Sequence, residues 1–320
     1  MTPGMPDMDS GLDAPSGSPT YNINSRGNRA RLGEPIPVLY GTTRLFPDLS
    51  SRPYTEYVGN EQYLHQLFEV TQGEADIAVA SMRFEDTPLI DFGDYEVEVV
   101  PPGAPVTLYP TQVASSAEVS NQQIEDATLG PYTANAATTT VTRIGVDIVA
   151  PGGLFRQTDD GDVRARSVGV RVEALQVDDA DIAIGSWFEL GVVALSGDNP
   201  TAIRRSVSYP VTSGRYQVRV TRTTAASTSL RVSDALQWGA LRGYLDDPTG
   251  ITATTRVALK IRASNKVPNG VVNKFSLIAG RRRRVGAPPW PPHHRHGRSP
   301  MRCAPAMAVI APIRLSIRPG

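Results

Sequence analysis

Gly33-Glu34-Pro35-Ile36-Pro37-Val38-Leu39-Tyr40-Gly41-Thr42-Thr43-Arg44-Leu45-Phe46-Pro47-Asp48 decides how the chain is read. Ile36–Tyr40 reads as a short apolar strand clamped between breakers. Pro35 and Pro37 fix φ and remove two backbone donors, which confines such a strand to a sheet edge or a strand start. Gly41 then admits a turn that a side chain resists.

Outward from this stretch the pattern stays β. Tyr63–Val70 sets Leu64, Gln66, Phe68 and Val70 on one face and Tyr63, His65, Leu67 and Glu69 on the other. Neither face is cleanly polar, as in a strand covered on both sides. Thr71-Gln72-Gly73-Glu74 signals a turn, with Ile77–Phe84 as the return strand. Tyr95–Val99 alternates acid with apolar, and Pro101-Pro102-Gly103-Ala104-Pro105 ends the block. Further on, Val141–Val149, Ser167–Leu175, Ser186–Leu195, Ile203–Tyr209 and Arg215–Thr223 read as strands between turn clusters, the spacing of a β-sandwich. In the last of these Tyr216, Val218 and Val220 face in while Arg215, Gln217 and Arg219 face out. Helical signals are few: a turn at Val119–Ile124, and a short helix from Asp234 to Leu245 capped by Ser233. Thr255–Ile261 and Val271–Ile278 read as strands again.

The first stretch, with Gly27-Asn28 before it and Tyr54-Thr55-Glu56-Tyr57-Val58-Gly59-Asn60-Glu61-Gln62-Tyr63-Leu64 after it, resembles the N-terminal hub region of phage tail-tip proteins, the family of the lambda-type host specificity protein J. The resemblance continues in pieces to about Ala279. It includes the strand around Tyr216 and Arg219, and the segments Leu241-Arg242-Gly243-Tyr244-Leu245 and Ala258–Asn265. The family-motif positions are Gly33, Pro35, Pro37, Tyr40, Gly41, Phe46, Pro47, Tyr54, Tyr57, Gly59, Tyr216 and Arg219, with structural roles. The resemblance implies a mainly β fold with few short helices: a hub β domain carrying an inserted β-sandwich. It implies a structural protein, not an enzyme, at the virion tail tip. Such a protein is made in the bacterial host cytoplasm, pairs with itself as a trimer and with other tail proteins, joins tube to tip, and contributes to host attachment and DNA passage. The matched region is the front part of a far longer family pattern, so a prophage relic without the receptor-binding end is the corresponding expectation.

The expected organisation is a flexible leader at 1–19, a first hub part at 20–110, a linker at 111–140, the inserted sandwich at 141–224, a second hub part at 225–280 and an unstructured tail at 281–320. The tail changes character abruptly: four Arg, then Pro-Pro-Trp-Pro-Pro-His-His-Arg-His, as at a frameshifted end.

Composition removes several functions. With 40% hydrophobic residues the chain has the material for real cores. It has no apolar run long enough for a membrane-spanning helix and no signal-peptide pattern at its start. Its single cysteine, Cys303, excludes disulfides and cysteine metal clusters. The net charge of zero divides unequally. Residues 281–320 hold nine Arg and no acid, leaving 23 basic and 32 acidic side chains, about −9, in residues 1–280. An acidic body argues against a nucleic-acid grip, which needs clustered phosphate-neutralising charge.

Chemistry-bearing candidates are sparse. His65, the one histidine before residue 293, is a candidate general base but fits a packed strand histidine better. There is no Gly-x-Ser-x-Gly elbow and no Walker or dinucleotide fingerprint. Asp159-Asp160-Gly161-Asp162 and Asp178-Asp179-Ala180-Asp181 offer oxygen ligands without EF-hand spacing, and read as solvated turns. His293, His294 and His296 with Arg281–Arg284 have metal- or polyanion-binding composition but sit in the odd tail. Trp187 and Trp238 are candidate surface aromatics, with core packing expected for Trp187. No cofactor and no metal site are expected. The alternative reading is a carbohydrate-binding or adhesive β-sandwich at a cell surface; a two-carboxylate hydrolase is a third.

Overall fold

Two pairs of sheets, stacked through one junction, account for the computed structural model, which describes residues 27–31, 33–109, 112–245, 253–264, 274–281 and 313–317. The chain first forms β1 (Thr42–Leu45), β2 (Asp48–Leu49), β3 (Tyr54–Val58), β4 (Glu61–Gln72), β5 (Ala75–Phe84), β6 (Thr87–Pro88) and β7 (Tyr95–Val100), with one 3-10 turn at Leu89–Phe92. Then come β8 (Gln112–Ser115), β9 (Gln122–Ile124), β10 (Leu129–Thr133), β11 (Val141–Ala150), β12 (Phe155–Gln157), β13 (Val163–Val177), β14 (Phe188–Gly197), β15 (Ile203–Arg222), β16 (Val232–Ser233) and β17 (Leu236–Leu245). It ends with β18 (Thr254–Arg262), β19 (Phe275–Arg281) and β20 (Ile313–Ile317).

The front pair of sheets is built from both ends of the chain. One sheet runs β1-β19-β5-β6; the other runs β2-β4-β18-β7-β20, with β3 also on β4. The Gly73 turn, at φ +82°, does not close a hairpin. It carries the chain from β4 in one sheet to β5 in the other, so Ile77–Phe84 returns across the core and pairs with β19. Phe68, Val97 and Leu259 face Met82, Phe84 and Phe275 across this core. Phe68 stacks on Phe275 at 4.5 Å between centroids. Each such fully buried side chain stabilises the fold by about 1.5–3 kcal/mol relative to exposure. β4 is buried from His65 to Thr71 on both faces, as its unalternating pattern requires.

Between β7 and β18 the chain builds the second pair. β11 lies between β15 and β17 in one layer, with β8 and β9 on β17; β13 lies between β14 and β15 in the other, with β10 also on β15. β15 belongs to both layers. Its first half, Ile203–Gly214, pairs with β11 and its second half, Arg215–Arg222, with β13. The expected break between Ile203–Tyr209 and Arg215–Thr223 is thus a bend inside one strand, not a reversal. Its register slips between Val141 and Arg143, and Pro210 is tolerated because this half of β15 has a ladder partner on one side only. The core packs Ile144, Val146 and Ile148 against Val168, Val170, Val172, Val218 and Val220.

Several expectations need correction. Ile36–Tyr40 forms no ladder. Its prolines leave it one backbone bond, the Gln72 amide to the Pro37 carbonyl, plus the Leu39 amide to Thr71 Oγ1. Only Leu39 is buried there; Tyr40 is 81% exposed. The expected helical turn at Val119–Ile124 is replaced by β9. The expected helix Asp234–Leu245 is the strand β17, containing a bulge at Gly239: Asp147 opposes Ala240 while Ile148 opposes Trp238. The expected linker 111–140 carries β8, β9 and β10, all paired into the second unit. Within 281–320, expected to lack structure, Ile313–Ile317 forms β20 on the edge of β7. The leader 1–19, Cys303 and the tail histidines lie outside the described residues. Among those residues no helix is long and apolar enough to cross a membrane.

Candidate functional site

The Tyr54–Leu64 motif folds as the hairpin β3–β4. Its two loop residues, Gly59 and Asn60, both have positive φ (57° and 74°), the requirement of a type I′ turn matched to strand twist. Glycine meets that requirement without steric cost, and Asn tolerates it. The Asn60 side chain then reaches the second unit. Its Oδ1 accepts from the Arg204 amide at 2.8 Å and its Nδ2 donates to the Ala202 carbonyl at 3.1 Å. Three residues before it, the Tyr57 amide donates to Ser206 Oγ at 2.8 Å, and the Arg204 guanidinium lies 5.9 Å from the Tyr57 ring centroid.

Beneath the hairpin the two units meet through buried polar and aromatic groups. Arg242 on β17 donates through both terminal nitrogens to Asp147 on β11, with Nη1 to Oδ2 at 2.8 Å. Ser206 donates to the same carboxylate. Both ion-pair side chains are only 4% exposed. Burial alone would lower the Arg242 pKa; the Asp147 carboxylate more than reverses this and holds it above its ordinary value. Tyr54 stacks flat on His65 at 4.6 Å and meets the Tyr244 ring edge-on at 5.8 Å. Burial, then Tyr244 and Glu56, push the Tyr54 phenol well above its usual value, and burial takes Tyr109 up to about 12. Gly145 makes room for Tyr244, since a Cβ there would sit 2.9 Å from the ring.

His65 is a structural histidine here. It is 3% exposed, and its Nε2 lies 2.9 Å from Glu56 Oε1. Burial pushes the Glu56 carboxyl up, but the hydrogen bond and charge of His65, with Lys260 and Arg242 nearby, bring it below the ordinary range.

Other motif residues tie the chain's two ends together. Asn28, of Gly27-Asn28, is buried; its Nδ2 donates to the carbonyls of Pro47 and Phe275, and its Oδ1 accepts from the Phe275 amide at 2.7 Å. One side chain thus completes the end of β19 from the front of the chain. Gly33, Pro35 and Pro37 line an open groove of about 820 Å³ that also touches Glu69 and Val113. Gly33 and Gly41 have positive φ, Pro47 is buried and Phe46 half-buried. Tyr216 is buried and donates to the Thr212 carbonyl at 2.7 Å. Arg219 grips Glu173 with two nitrogens at 3.0 and 3.1 Å and lies over Trp187 at 4.2 Å. Trp187 therefore packs on an outer face rather than in the core, whereas Trp238 is fully buried.

The aspartate clusters are turns. Asp178 Oδ1 accepts the amides of Ala180 and Ile182, Asp181 pairs with Arg215 at 2.7 Å, and Asp162 pairs with Arg164 at 3.0 Å. Among the described residues no group of three or more His, Cys, Asp or Glu has metal-binding geometry. Sequence reasoning missed Asp147, Ser206 and Arg242. No local pattern marks a buried ion pair formed across strands, although Arg242 stands inside a segment of the family resemblance.

Residues 114–247 match the family model of the FNIII-A domain of tip attachment protein J, nearly the span of β8–β17. A search of curated proteins gave no match. Solved structures with some similarity are the T13 particle of infectious bursal disease virus (8% identity, 75% of this chain, 72% of that chain, TM-score 0.25) and the Gx strain of that virus (10%, 75%, 74%, 0.26). At such TM-scores the likeness carries no argument.

Proposed function

Starting from a chain that is a member of the lambda-type host specificity protein J family and a phage tail-tip protein, we propose that it is a structural hub element. It joins the tail tube to the tip, assembles as a closed trimer with itself, contacts other tail proteins, and contributes to host attachment and to the wall of the DNA passage. Its synthesis in the host cytoplasm is part of the same reading.

The observation that carries this proposal is the use made of the motif residues. Tyr54, Tyr57, Gly59 and Asn60 form the arm that grips the FNIII-A region, through hydrogen bonds to Ser206, Arg204 and Ala202. These residues of the resemblance hold one β unit against another, which is scaffold work. The deficit of positive charge over residues 1–280, about −9, supports a passage wall that lets DNA slide.

Light scattering of the full chain across a concentration series tests the assembly. A closed ring gives one discrete species of three chains. A monomer at every concentration, or open-ended growth, refutes the trimer.

A further inference from the structure

Apart from β20, β7 is the last strand of its sheet. Tyr95, Val97, Glu98 and Val100 are all buried. Its inner neighbour β18 pairs with it over six consecutive residues, Tyr95–Val100, with no register shift. The segment 101–109 is clamped back over it: Glu98 accepts from the Thr107 amide and hydroxyl and from the Leu108 amide at 2.6 Å. Natural edges are blunted by Pro, Lys, bulges or shortness. β6, two residues long and ending in Pro88, is such an edge. β7 has no proline, lysine or bulge, and Glu96, one of its two charges, lies 3.6 Å from Lys260 of the neighbouring strand. Its sequence is Tyr-Glu-Val-Glu-Val-Val, and Glu98 is spent on the clamp.

This edge is occupied. Ile313–Ile317 lies antiparallel on it, Ile313 opposite Val99 and Ile317 opposite Tyr95, again without a register shift. The occupant comes from the compositionally foreign tail, past the region of family resemblance. Strand addition is driven by main-chain hydrogen bonds and tolerates many sequences. We infer that the Tyr95–Val100 edge is a strand-accepting interface whose occupant is residues 313–317 of this chain, held as a detachable cap.

The test uses the full chain. The double replacement Leu315→Pro/Ser316→Pro removes a ladder donor whichever of the two adjacent amides faces β7. The probe is a fluorescein-labelled peptide of residues 311–319, followed by anisotropy, with hydrogen exchange read at residues 95–100. In the double variant the alternate amides of 95–100 that point away from β18 exchange at least tenfold faster than in the unaltered chain. The variant binds the peptide at least tenfold tighter, and bound peptide restores protection. Self-association of the variant that the peptide reverses also supports the inference, with a second copy then filling the edge. Equal exchange at 95–100 in both chains overturns it. So does failure of the opened variant to bind the peptide while its solution mass stays that of the unaltered chain, or equal binding of a peptide carrying proline at position 315.

Discussion

Replacing Arg242 by Met tests whether the junction rests on the Asp147 pair. Arg242 and Asp147 are both 4% exposed, and the carboxylate is held by Arg242 and Ser206. Removing the cation leaves a buried carboxylate with one hydroxyl donor, at a cost of about 3–5 kcal/mol. The guanidinium also lies 6.0 Å from the Tyr54 ring, a contact worth at most about 1 kcal/mol. With a urea m-value of about 2 kcal/mol per molar, the midpoint falls by roughly 1.5–2.5 M. Trp187 and Trp238 both lie in the affected unit, so tryptophan fluorescence follows its unfolding. The decisive comparison is the double variant Asp147→Leu/Arg242→Met. With no charge left to desolvate, its stability returns to within about 1 kcal/mol of the parent, or exceeds it. A single variant costing less than about 1 kcal/mol, or a double variant no better than the single, refutes this account.

Three further outcomes follow. Asn60→Gly keeps the positive φ but deletes both side-chain bonds to Ala202 and Arg204, costing about 1–2 kcal/mol at the junction; Asn60→Ala costs more, by backbone strain, and equal midpoints for the two variants in urea would falsify the separation. Glu56 has a depressed folded pKa, so it adds stability above its ordinary value of 4.5 that is lost as pH falls through the folded value; an acid titration of thermal midpoints shows this loss in the parent and not in Glu56→Gln. Gly145→Val forces the Tyr244 ring aside and costs about 1–3 kcal/mol by overpacking, read as a lowered thermal midpoint, and an unchanged midpoint shows that the ring has room.

What the sequence reveals here depends on whether a strand keeps a regular period. β5 and β7 and the second half of β15 alternate, and β4 carries large apolar residues on both faces, so these strands can be read directly. β17 cannot. Its bulge puts the buried Leu236, Trp238 and Leu241 at i, i+2 and i+5, a spacing that breaks strand alternation, while Ser233 ahead of it reads as a helix cap. Ile36–Tyr40 misled in the opposite way: its apolar residues look like core, yet two prolines deny it the donors a ladder needs. β8, β9 and β10 are too short, and too rich in small polar residues, to announce themselves. The front half of the junction, Tyr54 to Asn60, was legible because its residues are contiguous. The facing half draws Asp147, Ser206 and Arg242 from three distant strands, and only the completed sheet brings them together.

The single extra residue at Gly239 works as a parity switch. Ahead of it the even-numbered Leu236 and Trp238 face the core; after it the odd-numbered Leu241 does, and the even positions Arg242 and Tyr244 turn to the junction. Deleting Gly239 itself would restore a continuous ladder with Leu241 still inward and Arg242 still outward, whereas deleting a residue beside it while the bulge stays would send the guanidinium and the phenol inward and pull Leu241 out. The place of the bulge along β17, as well as the strand's composition, therefore ties the junction surface to the interior of the domain that carries it.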